Sequence, residues 1–357
     1  MRGVDIAIRG AGPVDCVLAL ALRDSGLSIV LCEKKIESDG KTISRRPIAL
    51  SYASRLILER VGAWEALSTT PIRRVHVSQA GQFGRTRLDA ADAGVPALGY
   101  VVEYAALTEA LRRSVRDRGI DLREQAVSAA RCVVHAEGSP GEDAREKDYR
   151  RDALVALVET DRPAHGTAFE RFTPEGPLAL LPLEGAYGLV WALTPERAAD
   201  LVAANDGKFL AALGAAFGAR AGRFLRVSGR ERTALALRVR RSRVADREVY
   251  IGNAAQALHP VAGQGLNLGL RDAWDLSQSL RGAADPGAAP VLARFAARRR
   301  FDAQATIRVT DLLAGAFLGT SRWLGAARGL AMAALDAAPP ARRFFARRMI
   351  FGPAAIP

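Results

Sequence analysis

"VDIAIRGAGPVDCVLALALRDSGLSIVLCEKK", Val4 to Lys35, decides how the rest of the chain is read. Val4–Ile8 is apolar and strand-like, Pro13–Ser25 has helical spacing, and Ser28–Cys32 is a second apolar strand ending at Glu33. A glycine turn between strand and helix is weak evidence alone; the closing carboxylate makes it one half of a dinucleotide-binding βαβ unit. Gly10 permits the tight turn, and Gly12 lets the backbone approach a pyrophosphate seated on the helix N-terminus. Glu33 lies 21 residues after Gly12, the spacing of a carboxylate that takes ribose hydroxyls. Asp15 stands where a third glycine would allow close helix–strand packing. A carboxylate there is repelled by phosphates, whereas on an empty helix N-terminus it is favourable by about 0.3–1 kcal/mol.

A second glycine loop is more specific. "YIGNAAQALHPVAGQGLNLGLRDAWDLSQSL", Tyr250–Leu280, runs from an apolar strand through Gly-Asn and His-Pro to Gly-Gln-Gly at the start of a helix over Leu266–Leu280. Gly263, Gln264 and Gly265 present backbone N–H groups at a helix start, which suits a ring carbonyl or a phosphate. Asn253 can donate and accept toward a sugar hydroxyl. Pro260 holds His259 extended, and that lone histidine reads as structural.

Between the two loops, Ser54–Ala66 and Ala105–Arg118 read as helices and Ile72–Asp89 as a hairpin around "AGQFG". After the polar loop Gly138–Lys147 come short strand-like runs, helices near Glu196–Ala204 and Lys208–Phe217, and a long alternating run to Arg240. The expected fold is α/β: a Rossmann-like domain from 1–67, 99–148 and 247–290, an inserted, mostly antiparallel sheet domain from 68–98 and 149–246, and a helical, basic tail from 291–357.

With 357 residues, 49% of them hydrophobic, the chain can bury a large core over about two domains. No secretory signal is recognisable, and no apolar run approaches the roughly 20 residues of a membrane span, so a cytoplasmic protein, soluble or peripheral to the inner membrane face, is expected. Cys16, Cys32 and Cys132 form no CxxC pair and read as buried reduced thiols. The net charge of +13 accompanies no nucleic-acid motif. From Val291 onward eleven arginines face three aspartates, which points to an anionic partner, a membrane surface first. In "LLAGAFLGTSRWLGAARGLAMAAL" a core helix and an interfacial helix are both open readings, and "ARRFFARRMIF" would suit a basic-aromatic foot.

Several blocks together resemble the ubiquinone-biosynthesis hydroxylases of UbiH/UbiF type among the FAD-dependent aromatic monooxygenases. They are "GAGPV", "RPIALSYASRLILERVGAWEAL", "YVVEYAALTEALR", "DYRRDALVALVE", "HGTAFERFTPEGPLALLPL", "YGLVWALTPE", "GNAAQALHPVAGQGLNLGLRDA" and the tail. The resemblance implies FAD in the α/β domain, NAD(P)H as reductant, and O₂ activated as a flavin C4a-hydroperoxide that hydroxylates a lipid-soluble polyprenyl phenol. It places Gly10, Gly12 and Glu33 on the ADP half, Arg46 near the pyrophosphate and flavin, and Asn253 on the ribityl chain. Pro260, Gly263, Gln264, Gly265, Leu266 and Asn267 belong to the ring side, and the strand Leu178–Leu183 faces the substrate. No catalytic triad and no metal is implied, and other proteins of the pathway are possible partners.

The departures from the pattern gather around the cofactor. They are Asp15, Glu137 in place of an aspartate, Tyr104 in place of a small amide, Ser44 in place of an acid, and room for about two strands between Asp121 and Ala136. They leave two other readings open: a non-catalytic member of the pathway with weakened FAD binding, and a monooxygenase for a small soluble aromatic.

Overall fold

The computed structural model of the chain describes residues 3–33, 46–125, 127, 129–141, 143–258, 263–318 and 322–352, without the side chains of 309–310 and 312–324. Ser44, His259 and Pro260 therefore lie outside the described residues.

The first sheet carries β1 (Val4–Arg9), β2 (Ile29–Cys32), β8 (Asp121–Arg123), β9 (Ala130–His135), β15 (Val244–Ala245) and β16 (Glu248–Tyr250), in the order β15-β16-β9-β1-β2-β8. All its pairings are parallel except β15 with β16 at the edge. Parallel strands need helical crossovers that cover both faces, and this is why β1 is an apolar run. Helix α1 (Pro13–Leu22) is buried at every position, matching its all-round apolar sequence. Pro13 opens it, where a missing N–H does no harm.

A three-stranded sheet joins β3 (Pro47–Ser51), β4 (Thr70–Ile72) and β7 (Gly99–Glu103). Helix α2 (Tyr52–Arg60) follows β3, with Ser51 Oγ capping the N–H of Ser54. It stops at Arg60, short of the expected Ala66, because Gly62 turns the chain at a φ of +71°. Helix α4 (Tyr104–Asp117) buries Leu107 and Leu111 on one face, as its spacing predicts.

The third sheet is eight-stranded, β17-β14-β10-β13-β12-β11-β5-β6. It consists of β5 (Arg74–Gln79), β6 (Arg85–Asp89), β10 (Ala144–Thr160), β11 (Thr167–Phe172), β12 (Pro177–Pro182), β13 (Ala186–Leu193), β14 (Phe224–Arg240) and β17 (Gln256–Ala257). Every pairing is antiparallel except β11 with β5. Helices α5 (Pro195–Ala203) and α6 (Asp206–Phe217), capped by Thr194 and Asn205, cover one face and bury Leu178, Leu180, Leu189 and Trp191. A short helix α3 (Ala90–Ala93) follows β6.

Near the second glycine loop lie α7 (Gly252–Ala255) and α8 (Gln264–Leu280). The tail forms α9 (Ala289–Leu318), α10 (Arg322–Ala337) and α11 (Pro339–Phe351). Among the described residues no helix is long and apolar enough to cross a membrane. The three cysteines are buried and free. Burial pushes the thiols of Cys16 and Cys132 up to about 12, which leaves them chemically inert.

Candidate functional site

The turn after β1 has the backbone of a phosphate cradle. Gly10 sits at a φ of +129°, open to glycine alone, and Gly12 is extended ahead of α1. Its donors, however, are already engaged. The N–H of Ala11 donates to Glu137 Oε1 at 2.7 Å, and that of Gly12 to Asp15 Oδ2 at 3.1 Å. A Cβ on Gly10 would lie 2.3 Å from Cγ of Glu137 and 2.7 Å from Oδ1 of Asp15. The space that glycine leaves for a pyrophosphate is thus held by two of the chain's own carboxylates, bound by the N–H groups that would meet phosphate oxygens.

The two carboxylates differ in freedom. Glu137 is exposed just after β9 and can swing away at the cost of its bond from the Ala11 N–H. Asp15 is 1% exposed, and its Oδ1 has no hydrogen-bond partner among the described residues. Burial, then the charge of Glu137, raises its carboxyl well above the usual range. The backbone of the turn fits a dinucleotide once Glu137 turns outward and Asp15 Oδ1 yields the space above Gly10.

Glu33, at the end of β2, is engaged by a residue the sequence did not single out. Arg112 of α4 places Nη2 2.5 Å from Glu33 Oε1 and donates from Nε to the carbonyl of Ala11 at 2.9 Å. One guanidinium thereby ties the glycine turn to the ribose carboxylate. Nothing in "TEALRRSVRD" distinguishes Arg112 from its neighbours; only the packing of α4 against α1 does. Arg46 lies over the ring of Tyr104 at 5.2 Å, with its carbonyl accepting from the N–H of Tyr104 at 3.1 Å.

The second loop meets the first through close packing. Gly252, at a φ of +53°, and Gly269 both face Val14 of α1, where a Cβ would come within 3.3 and 2.8 Å of its methyls. Close approach lost at Asp15 is thus recovered between α1 and α8. Asn253 is exposed on α7. Gly263 adopts a left-handed φ of +58° at the start of α8, and Gln264, Gly265 and Leu266 are partly open, with free space where a Cβ on Gly265 would lie. Asn267 is different. Its Nδ2 donates to the carbonyls of Ala49 and Gly263 at 3.0 and 2.8 Å, and its Oδ1 accepts from Ser51 N–H and Ser54 Oγ at 2.8 and 2.7 Å. All its hydrogen-bonding capacity goes to protein, so it fixes the loop against β3 and α2.

Beneath this loop is a buried charged cluster. Asp272 of α8 accepts from Gly252 N–H (3.2 Å), Gln256 Nε2 (2.8 Å), Arg243 Nη1 (3.2 Å) and Arg299 Nε (2.7 Å). Burial alone would raise its carboxyl; Arg243 and Arg299 outweigh that and hold it below the usual range.

On the expected substrate strand the residues alternate. Leu178 and Leu180 are fully buried on the helix side, while Ala179, Leu181 and, beyond the strand, Leu183 are partly open on the other. That second face looks at β3: Leu181 pairs with Gly188, whose added Cβ would lie 2.2 Å from Pro47 Cγ, and Leu181, Leu183 and Ala49 all pack against Ile72, Val101 and Ala168. A separate cleft of about 460 Å³, lined by Arg85, Arg171 and Arg220 among others, shares no residue with either glycine loop.

Comparison with known proteins bears on this site. Residues 144–310 match the FAD binding domain family. The chain is 31% identical over 96% of its length to ubiquinone hydroxylase UbiL of Rhodospirillum rubrum, covering 88% of that protein. It is 28% identical to 3-demethoxyubiquinol 3-hydroxylase of Escherichia coli, with 84% of this chain and 86% of that one aligned. Among solved structures, p-nitrophenol 4-monooxygenase PnpA of Pseudomonas putida superposes with a TM-score of 0.75 at 17% identity, over 97% of each chain. PqsL of P. aeruginosa does so with a TM-score of 0.74 at 20% identity, over 92% of this chain and 100% of that one.

Fold, paired glycine loops and these likenesses define a FAD-dependent monooxygenase. FAD, when bound, supplies the oxygen-activating chemistry; the chain supplies position, orientation and exclusion of water. Within that class, the chain belongs to the ubiquinone-biosynthesis hydroxylases.

Proposed function

We propose that the chain uses NAD(P)H to hydroxylate a polyprenyl phenol of ubiquinone biosynthesis. The observation that carries this reading is the apolar, partly open row Ala179, Leu181 and Leu183; its two leucines share an apolar cluster with Ala49, whose carbonyl accepts from Asn267 Nδ2. Such a row suits an isoprenoid chain, and the relatives named above are hydroxylases of ubiquinone or its precursor. Gly10, Gly12, Glu33 and Arg46 would hold the dinucleotide, and Asn253 and Gly263–Leu266 the flavin side. With FAD supplied, a phenol carrying one or two isoprene units should accelerate NADPH oxidation and gain one oxygen by mass spectrometry. Acceleration only by unprenylated, water-soluble phenols would reject the polyprenyl substrate.

A second reading, an accessory member with weakened FAD binding, is favoured by one observation: Glu137 and Asp15 occupy the phosphate cradle. A protein that takes up no FAD at any pH, even with both carboxylates removed, would establish it.

The lipid-soluble substrate implies contact with a membrane surface. Phe344 on α11 is 70% exposed and Phe301 on α9 66%, with Arg348 beside the ring of Phe301 at 5.8 Å. The chain should float with anionic vesicles at low salt and be released at high salt. Equal flotation of a Phe301→Ser, Phe344→Ser variant would show that this surface is not the contact.

A further inference from the structure

We propose that Glu170 of β11 receives the phenolic hydroxyl of the substrate, an inference that rests on the hydroxylase reading above. The geometry starts from alternation along the strand. Phe169 packs on Phe217, and Arg171 donates to the carbonyl of Ala216, so both face α6. Ala168, Glu170 and Phe172 therefore point to the opposite face, the one that looks at β3. Ala168 packs there with Ile72 and Val101. Phe172 pairs across the sheet with Gln79, whose Nε2 reaches the carbonyl of Gly325 on α10 at 3.0 Å. Glu170 stands between these two contacts along β11 and is partly open.

Its surroundings are apolar and incompletely packed. The cross-strand neighbours of Glu170 are Val77 and Ala179, with Val190 beyond Ala179, and all of them are partly open. Among the described residues no hydrogen bond, cation or other titratable group faces it from β3, β5, β12, β13 or α10. Burial alone pushes its carboxyl up to about 7. Glu170 is itself partly open, so its carboxyl, which has no hydrogen bond among the described residues, is placed to meet a ligand on this apolar face. The same face carries Leu181 and Leu183, which suit the prenyl chain, so the phenol's polar end falls to Glu170.

Once ionised, the carboxylate accepts the hydroxyl proton. The phenolic O–H bond breaks, a carboxyl O–H bond forms, and the electron pair stays on the phenolate oxygen, enriching the ring for attack by an electrophilic oxygen. A methyl ether has no proton to give.

The test uses the FAD-loaded full chain, with a geranyl-substituted phenol and its methyl ether as probes. The wild type should bind the phenol at least tenfold tighter than the ether above pH 7. That preference should fade as pH falls through about 7, where the protonated side chain donates to either oxygen. Glu170→Leu should abolish the preference and lower kcat roughly 10²–10⁴-fold, with a smaller change in KM. Equal discrimination in Glu170→Leu would overturn the assignment while leaving the hydroxylase reading intact. If that variant does not fold, the wild type decides: a phenol preference unchanged from pH 5.5 to 8.5 overturns it. If neither probe binds the wild type or stimulates NADPH oxidation, the phenol reading falls and Glu170's role with it.

Discussion

Replacing Glu137 by alanine and Asp15 by glycine raises the affinity for FAD by roughly 10²–10³-fold at pH 7.5. Glu137 contributes about tenfold, because its carboxylate must give up the Ala11 N–H before a phosphate oxygen can take it, and a charge-assisted hydrogen bond is worth about 1.5–3 kcal/mol. Asp15 contributes through charge and volume, since its Oδ1 lies in the space above Gly10. The pH dependence separates the two. Burial and Glu137 raise the Asp15 carboxyl, so it is neutral at low pH and becomes charged as pH rises through its raised value. Repulsion of the pyrophosphate then appears, and wild-type affinity falls with rising pH; in Asp15→Gly that decline is absent. The same protonation makes the folded apo protein more stable below the ordinary carboxyl range and less so above the raised value. Fluorescence-quenching titrations of FAD from pH 5.5 to 9 measure the effect. Identical curves for the wild type and the double variant would mean that the carboxylates leave the cradle at no cost.

The distribution of these groups explains how much of the molecule was legible in the sequence. Local pattern and backbone geometry were: the βαβ opening, the second glycine loop and the buried face of α4 all follow from periodicity and glycine placement within short windows. Groups defined by a partner far along the chain were not. Arg112 meets Glu33 across 79 positions and Asn267 meets Ser51 across 216, and neither separation leaves a mark on local composition. The substrate strand was read as one apolar run, "LALLPL", because all its residues are apolar; only the sheet shows that Leu178 and Leu180 serve the helix-side core. Glu170, inside "TAFERFT", carries no local mark that sets it apart. Its meaning depends on which face of β11 meets solvent, and that is set by the parallel pairing of β11 with β5, nearly a hundred residues earlier. Asp15 was visible as a departure, yet its companion Glu137 could be linked to it only once β9 lay beside β1.

Asp272→Ala destabilises the protein by about 3–5 kcal/mol, the range for breaking a buried ion pair by removing one partner. The magnitude follows from what is left behind. Arg299 is 2% exposed and loses Asp272, keeping only Asp275 and Asp302 at 2.8 and 2.6 Å, while Arg243, Gln256 and the N–H of Gly252 lose an acceptor each. At roughly 2.1 cal/mol/K of unfolding entropy per residue, this lowers Tm by about 4–7 °C. Arg299→Met alone should cost less than Asp272→Ala, because Asp272 keeps Arg243 and its two neutral donors. Combining Asp272→Leu with Arg299→Met should recover part of the loss, since an apolar pair replaces two desolvated charges. The pH signature has a definite sign. The carboxyl of Asp272 is held below the ordinary range, so its contribution is present above that range and disappears as pH falls through the lowered value. Wild type and Asp272→Ala should therefore converge in stability toward strongly acid pH and differ most near neutrality. The defect should also reach the cofactor: with the Gly252 N–H unpaired, the start of α7 loosens and FAD binds more weakly even where the protein remains folded. Urea unfolding curves at pH 7 and pH 3, paired with FAD titrations, measure both effects. A stability loss below about 1 kcal/mol at pH 7 would show that water or local repacking replaces Asp272, and the cluster would then no longer explain how the second glycine loop is held.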